Sequence, residues 1–414
     1  MLRTPPRRQR SLPAALALLL LAAAAAPARA APAGDGGALE AALAAAARGD
    51  WADVQARTAR LSPPLAAYFE WRELLGSERD FPFETIAGFL ERHAGWPLEQ
   101  RLRALAEGRI GEDVPAARLL AFFERFPAST ARGRLVFAKA LRAVGRSEEA
   151  RREFARAFPE LALDPAGLRY VEALFGDWID GQLIATRVDR LLWQGRIGEA
   201  RALLDRLDDD RRRLAVARIA LQTSAAGVEG AIARVPARLR DDPGLAFDRL
   251  QWRLAKGLRE RALEILLDPP ARLGEPARWW QVREREIRRA LEDGEPRRAY
   301  ALARRHGQSE GREFAEAEWL AGWLALRFAG RPKEALGRFE RLYAAVGTPV
   351  SLARAAYWAG RAAEALGRGA DAEGWYRRAA QHPTTFYGQL AADRIGLPAD
   401  FGSGRTRIAG LAGP

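Results

Sequence analysis

Apolar and polar residues alternate along this chain in blocks. From Ala38 to about Gly396 the apolar residues return at intervals of three and four within stretches of 10 to 16 residues, and each stretch ends at a short break carrying Gly or Pro. No segment sustains the every-second-residue alternation of a half-buried strand. The pattern predicts amphipathic helices joined by tight turns, an all-α chain. At 414 residues it exceeds one compact core, so the helices are expected either in several domains or in an extended array.

Self-comparison favours the array. A Gly is followed five positions later by Ala at Gly145 and Ala150, Gly195 and Ala200, Gly257 and Ala262, Gly294 and Ala299, Gly330 and Ala335, and Gly367 and Ala372. The spacings between successive glycines are 50, 62, 37, 36 and 37 residues. The last three lie close to the tetratricopeptide period of about 34. Gly tolerates the left-handed backbone that ends a first helix, and a small Ala one turn into the next lets two backbones approach. Each unit is thus expected to be a helical hairpin. A hairpin cannot bury both its faces alone, so stacked neighbours supply the core and the array coils into a superhelix. The irregular spacing before Gly257 implies degenerate repeats.

Composition agrees. Ala, Leu, Arg and Glu, all strong helix formers, dominate, and β-branched residues are sparse. The first thirty residues differ from the rest: a basic stretch from Arg3 to Arg10, an apolar run from Leu12 to Ala26, and Ala28-Arg29-Ala30. This is the layout of a secretory signal peptide cleaved after about Ala30, with an apolar run too short to span a bilayer as a stable anchor. The organisation expected is a signal peptide over 1–30, a flexible connector over 31–37, a superhelical α-domain over 38–397 and an unstructured tail over 398–414. The chain has no cysteine, which excludes thiolate metal sites, thiol chemistry and a lipid-modified N-terminal Cys, and fits export to the periplasm.

The formal charge of +13 falls to +8 without the five arginines of the leader. Arg outnumbers Lys 63 to 3 and is spread evenly, which reads as an ordinary solvated surface, and an exported chain has no use for nucleic acid. His93, His306 and His382 are far apart and in no metal-binding spacing, and no phosphate-binding loop or nucleophile elbow occurs, so neither metal nor cofactor is expected. A glycosidase needs a shielded carboxyl with a raised pKa. Glu70, between Phe69 and Trp71, and Glu318, before Trp319, have apolar sequence neighbours, but on a helix those neighbours point elsewhere. Both are expected to be exposed or paired with Arg. Trp279-Trp280, Trp319 with Trp323, Tyr357-Trp358 and Trp375-Tyr376 are expected to serve mainly as packing, with a minority open to stack on sugar rings.

The last third carries a more specific signal. Residues 317–328 (AEWLAGWLALRF), 353–362 (ARAAYWAGRA), Trp375-Tyr376 and 384–391 (TTFYGQLA) resemble, in that order, soluble lytic murein transglycosylases, where YW-x-G-R-A and TTFYGQLA segments close the superhelical region. Earlier segments, 64–72 (PLAAYFEWR), Phe89-Leu90 with Trp96-Pro97, and 190–196 (RLLWQGR), are similar to the corresponding helices. The resemblance implies a periplasmic protein of peptidoglycan metabolism. The family reaction cleaves the β-1,4 bond between N-acetylmuramic acid and N-acetylglucosamine without water, leaving anhydro ends, with one Glu as acid then base and no metal. That Glu belongs to a lysozyme-like domain with E-S and G-L-M-Q signatures. This sequence holds no Glu-Ser pair, and its one Met is Met1. The expectation is therefore a peptidoglycan-associated superhelical module without catalytic residues. Trp358, Arg361, Trp375, Tyr376, Tyr387 and Gln389 are the candidates for glycan contact or packing, and peptidoglycan strands are the expected partner. The alternative is a periplasmic scaffold whose helical array recognises a protein partner.

Overall fold

The computed structural model describes residues 35–77 and 79–397. The expected leader, residues 31–34 of the connector and the tail lie outside the described residues. The described chain is all-α, with 22 α-helices joined by turns and three short 3₁₀ segments. The first helix begins at Asp35, ahead of the expected start at Ala38, because the glycines at 36 and 37 weaken a helix by about 1 kcal/mol each without forbidding it. Among the described residues no helix is long and apolar enough to cross a membrane.

The helices fall into two compact units, divided after Leu161. The first holds α1 (Asp35–Arg48), α2 (Trp51–Thr58), α3 (Pro63–Gly76), α4 (Phe83–Arg92), α5 (Glu99–Gly108), α6 (Ala116–Arg125), α7 (Ala131–Ala143) and α8 (Ser147–Ala157). The second opens with α9 (Pro165–Phe175), α10 (Gly181–Trp193), α11 (Ile197–Ala202), α12 (Asp209–Gln222), α13 (Val228–Ala233), α14 (Pro243–Ala255) and α15 (Arg259–Leu267). It continues with α16 (Pro276–Glu292), α17 (Pro296–Ala303), α18 (Gly311–Arg327), α19 (Pro332–Ala345), α20 (Pro349–Ala365), α21 (Gly369–Ala380) and α22 (Phe386–Arg394).

The turns follow the sequence pattern closely. All six repeat glycines are left-handed, with φ between 63° and 81°, and all six partner alanines are buried. At five of them the residue after Gly returns its N–H to a carbonyl five positions back, as Arg146 does to Leu141 and Arg368 to Ala363, both at 3.0 Å. That closes the free carbonyls at the end of the first helix. The carbonyl of the same residue then accepts the N–H of the repeat Ala, as in Ala150 to Arg146 at 3.0 Å, and starts the second helix. Its side chain pairs with the residue three further on: Arg146 with Glu149, Arg196 with Glu199, Arg331 with Glu334, Arg368 with Asp371, and with signs reversed Glu295 with Arg298.

The 62-residue gap before Gly257 conceals one more hairpin. Between α12 and α13 the left-handed position is filled by Ser224, at φ 50°, and Ala225 donates to the Ala220 carbonyl at 3.0 Å. Ser supplies the geometry that Gly supplies elsewhere, so the glycine pattern skips it. In the second unit the first helices of successive hairpins also touch one another, α16 with α18, α18 with α20 and α20 with α22. The second helices do likewise, as α15 with α17. The result is two layers with an apolar seam between them, where Trp279, Trp280, Leu324, Ala325 and Phe339 are fully buried.

Two buried charge networks pin the helices. In the first unit Glu107 accepts the N–H groups of Ser129 and Thr130, each at 2.7 Å, and both their hydroxyls, tying the end of α5 to the start of α7. In the second, Arg218 on α12 is buried and donates to Asp248 on α14 at 2.8 Å, while Asp189 on α10 pairs with the same guanidinium.

Candidate functional site

The two motif segments that carry the family resemblance build the end of the second unit, and their residue types have local reasons. Thr385 caps α22 by accepting the Gly388 N–H at 3.1 Å. A Cβ on Gly388 would lie 2.1 Å from the His382 carbonyl oxygen, so only Gly fits there. In YW-x-G-R-A, Gly360 of α20 lies flat against the ring of Tyr376 of α21, where a Cβ would stand 2.6 Å from a ring carbon. Ala362 is fully buried in the hairpin seam.

These helices, with α18, set out a continuous row of partly buried aromatic rings. Trp323 and Trp319, one turn apart on α18, stack with centroids 6.1 Å apart and planes at 14°. Trp319 meets Trp358 of α20 edge-on at 6.5 Å, and Trp358 meets Tyr387 of α22 at 6.5 Å. Tyr387 also packs on Tyr357 at 5.4 Å and on Phe386 at 5.2 Å, and Phe386 is 68% exposed. Such spacings are those of attractive ring pairs. The rings come from alternate helices of one layer, so the row exists only because the hairpins stack.

Two arginines flank it. The Arg354 guanidinium lies 5.1 Å from the Trp319 ring centre, and that of Arg361 6.0 Å from Trp358. Arg361 is occupied: its Nη1 donates to the Tyr357 hydroxyl at 3.4 Å and its Nε lies 3.3 Å from Glu364, without hydrogen-bond alignment. Arg354 makes no hydrogen bond or ion pair among the described residues, and burial pulls its pKa below the usual arginine value. The indole N–H groups of Trp319 and Trp358 are buried and unbonded.

The structure brings together three of the six candidates named from sequence: Trp358, Arg361 and Tyr387. Trp375 lies in the other layer, edge-on to Tyr343 at 5.4 Å and under Arg378 at 4.3 Å. Tyr376 is buried beneath Gly360, and burial, with Glu364 nearby, pushes its phenol pKa up. The Gln389 amide is spent on the Pro383 carbonyl at 3.2 Å. Trp319, Trp323 and Arg354 complete the row. The i, i+4 spacing of the two tryptophans signalled a shared face, but nothing in the sequence placed that face beside Trp358.

The carboxylates with apolar neighbours in sequence have cationic partners. Glu70 pairs with Arg92 at 2.5 Å and, with Glu73, lines a cavity of about 500 Å³ in the first unit; Glu73 receives Arg79 at 2.7 Å and Gln55 at 3.1 Å. Glu318 is buried rather than exposed, and paired as expected, with Arg341 at 3.0 Å and Arg338 at 3.4 Å. Burial raises its pKa, but the His306 hydrogen bond and the two guanidinium groups outweigh that and hold it below the usual range. His306 Nδ1 accepts the Gln308 N–H at 3.1 Å, which leaves Nε2 to face Glu318 at 3.2 Å. An acid for glycosidic cleavage requires the opposite shift. Among the described residues no cluster of three or more His, Asp or Glu side chains is arranged to hold a metal ion.

Comparison with solved structures finds the 70-kDa soluble lytic transglycosylase in complex with bulgecin A, at 18% identity and a TM-score of 0.43. It also finds the 70-kDa soluble lytic transglycosylase Slt70 of Escherichia coli, at 18% identity and 0.44. Each match covers 88% of this chain and 58% of the solved chain, so this chain spans less than two thirds of the length of either. No protein-family model matches the chain, and no curated protein does.

Proposed function

We propose that this chain is exported to the periplasm and binds peptidoglycan glycan strands through the aromatic row on α18, α20 and α22. The row is the observation that carries the reading. Four partly buried rings from three helices, flanked by arginines, offer the apolar faces on which pyranose rings stack, edged by donors for sugar oxygens. Support also comes from the sequence resemblance, because Trp358, Arg361 and Tyr387 fall inside the YW-x-G-R-A and TTFYGQLA segments. The basic, apolar and Ala-x-Ala succession over residues 1–30 supports export. The helical array contributes binding and not bond cleavage, since Glu70 and Glu318, the two carboxylates with apolar sequence neighbours, are both paired with arginines.

The test is co-sedimentation of the purified protein with peptidoglycan sacculi, with the supernatant assayed for anhydro-muropeptides. Wild type is expected to pellet with the sacculi and to release nothing. Trp358→Ala combined with Tyr387→Ala should weaken retention about tenfold, equivalent to about 1.4 kcal/mol. Retention unchanged in that variant would refute the site, and release of anhydro products by wild type would refute the non-catalytic reading.

A further inference from the structure

Around the row several arginines are tied to carboxylates. Arg338 holds Glu318 and Glu334, Arg361 faces Glu364, and Arg394 pairs with Glu364 at 2.8 Å. Arg354, in the middle of the aromatic row, has no such partner among the described residues. It stands on α20 one turn before Trp358, which puts both side chains on the same face. Its Nε is buried beside Trp319, and neither Nε nor the two Nη groups hydrogen-bond to any described residue. The groups that act on it through space without bonding to it are the Tyr387 hydroxyl and Glu316, one turn before Trp319 on α18 and itself 3.9 Å from Arg312. A partly desolvated cation without a counter-ion costs stability, which is recovered when an anion docks on it.

Resting on the glycan-binding reading above, we propose that Arg354 is a carboxylate-recognition site, so that the row selects sugar polymers bearing free carboxylates over neutral ones. The chemistry of the surround is one-sided. Guanidinium Nη groups only donate, the ring faces of Trp319, Trp358 and Tyr387 provide no strong acceptor, and Glu316, the carboxylate that acts on Arg354, is not bonded to it. An acceptor-only, planar, bidentate group satisfies that environment, and a carboxylate carried on a pyranose allows its ring to lie on the aromatic face while its charge meets the guanidinium. A neutral amino sugar would satisfy the rings alone.

The experiment compares one glycan strand with itself. Strands released from sacculi with their stem peptides removed carry free carboxylates; the same strands, after conversion of those groups to primary amides, are isosteric and neutral. Affinity of the full chain for each is read by quenching of tryptophan fluorescence. Wild type is expected to prefer the carboxylated strand about tenfold, and Arg354→Gln should lose that preference while keeping its affinity for the amidated strand, a result that misfolding would not produce. Arg354→Lys should recover only part of the preference, because a point charge replaces a fork. Equal affinity of wild type for both strands, with Trp358→Ala weakening both, would overturn the carboxylate site and leave glycan binding standing. Failure of wild type to bind either strand would overturn both readings. Equally tight binding of polyglutamate, an acid without sugar, would overturn selection of carboxylated glycan.

Discussion

Gly360 and Gly374 lie on the two helices of one hairpin and face opposite demands. Both are interior helix positions with ordinary φ, so replacing either by Ala improves helix propensity by about 1 kcal/mol. At Gly374 an added Cβ meets nothing within 4 Å. At Gly360 it would stand 2.6, 2.8 and 2.9 Å from three carbons of the Tyr376 ring, against a comfortable separation of about 3.5–4 Å. The ring cannot swing aside, because it is 2% exposed and packs against Tyr357 at 5.8 Å. The helices must part by close to an ångström or the tyrosine must leave its rotamer, which costs about 1–3 kcal/mol. Gly374→Ala is therefore expected to stabilise by about 1 kcal/mol, and Gly360→Ala to destabilise by up to about 2 kcal/mol after its propensity gain.

Urea unfolding followed by far-UV circular dichroism and tryptophan fluorescence measures both. Stacked hairpins need not unfold in one step, so the comparison rests on the shift of the same transition in both variants. Adding Tyr376→Leu to Gly360→Ala should restore part of the loss, giving a favourable coupling in a double-mutant cycle. Equal stability of the two Gly variants, or strict additivity in the cycle, would refute the close packing of α20 on α21.

Two further outcomes follow from the turns and the buried carboxylate. Ser224→Gly should stabilise by up to about 1 kcal/mol by relieving a non-Gly left-handed residue, whereas Gly257→Ala, at φ 74° in open space, should destabilise by about 1–2 kcal/mol; thermal melts of the pair test the strain directly. Glu318 has a folded pKa below its unfolded value, so its contribution is present above about pH 4.5 and is lost as pH falls through the lower folded pKa. Glu318→Gln should destabilise at neutral pH by about 3 kcal/mol and flatten the acid limb of the stability profile; an unchanged acid limb would show that Glu318 does not report there.

The hairpins were legible because their signals are local. A left-handed turn asks for Gly and a close helix crossing asks for Ala, and both requirements act within six residues of chain. Where another residue meets the same need the signal fades, as at Ser224, and a hairpin disappears into a 62-residue gap. The helix-period pattern likewise foretold that Trp279 and Trp280 are core. The site was legible only in fragments. Trp358, Arg361 and Tyr387 stood out by resemblance, and Trp319 with Trp323 by spacing, yet Trp375, Tyr376 and Gln389 read the same way and are spent on packing and a loop carbonyl. Arg354 had no distinguishing neighbour in a chain of 63 arginines, and neither did Arg283, which is wholly buried with its pKa pulled down to about 10. Whether a side chain is paired, buried or open depends on what the next hairpin sets against it. Sequence determined where the chain turns and which helix faces are apolar, since those follow from backbone torsion and periodicity. Only the stacking of α18, α20 and α22 decided which aromatics form one row and which arginine beside it lacks an anion, because both are relations between residues that lie tens of positions apart.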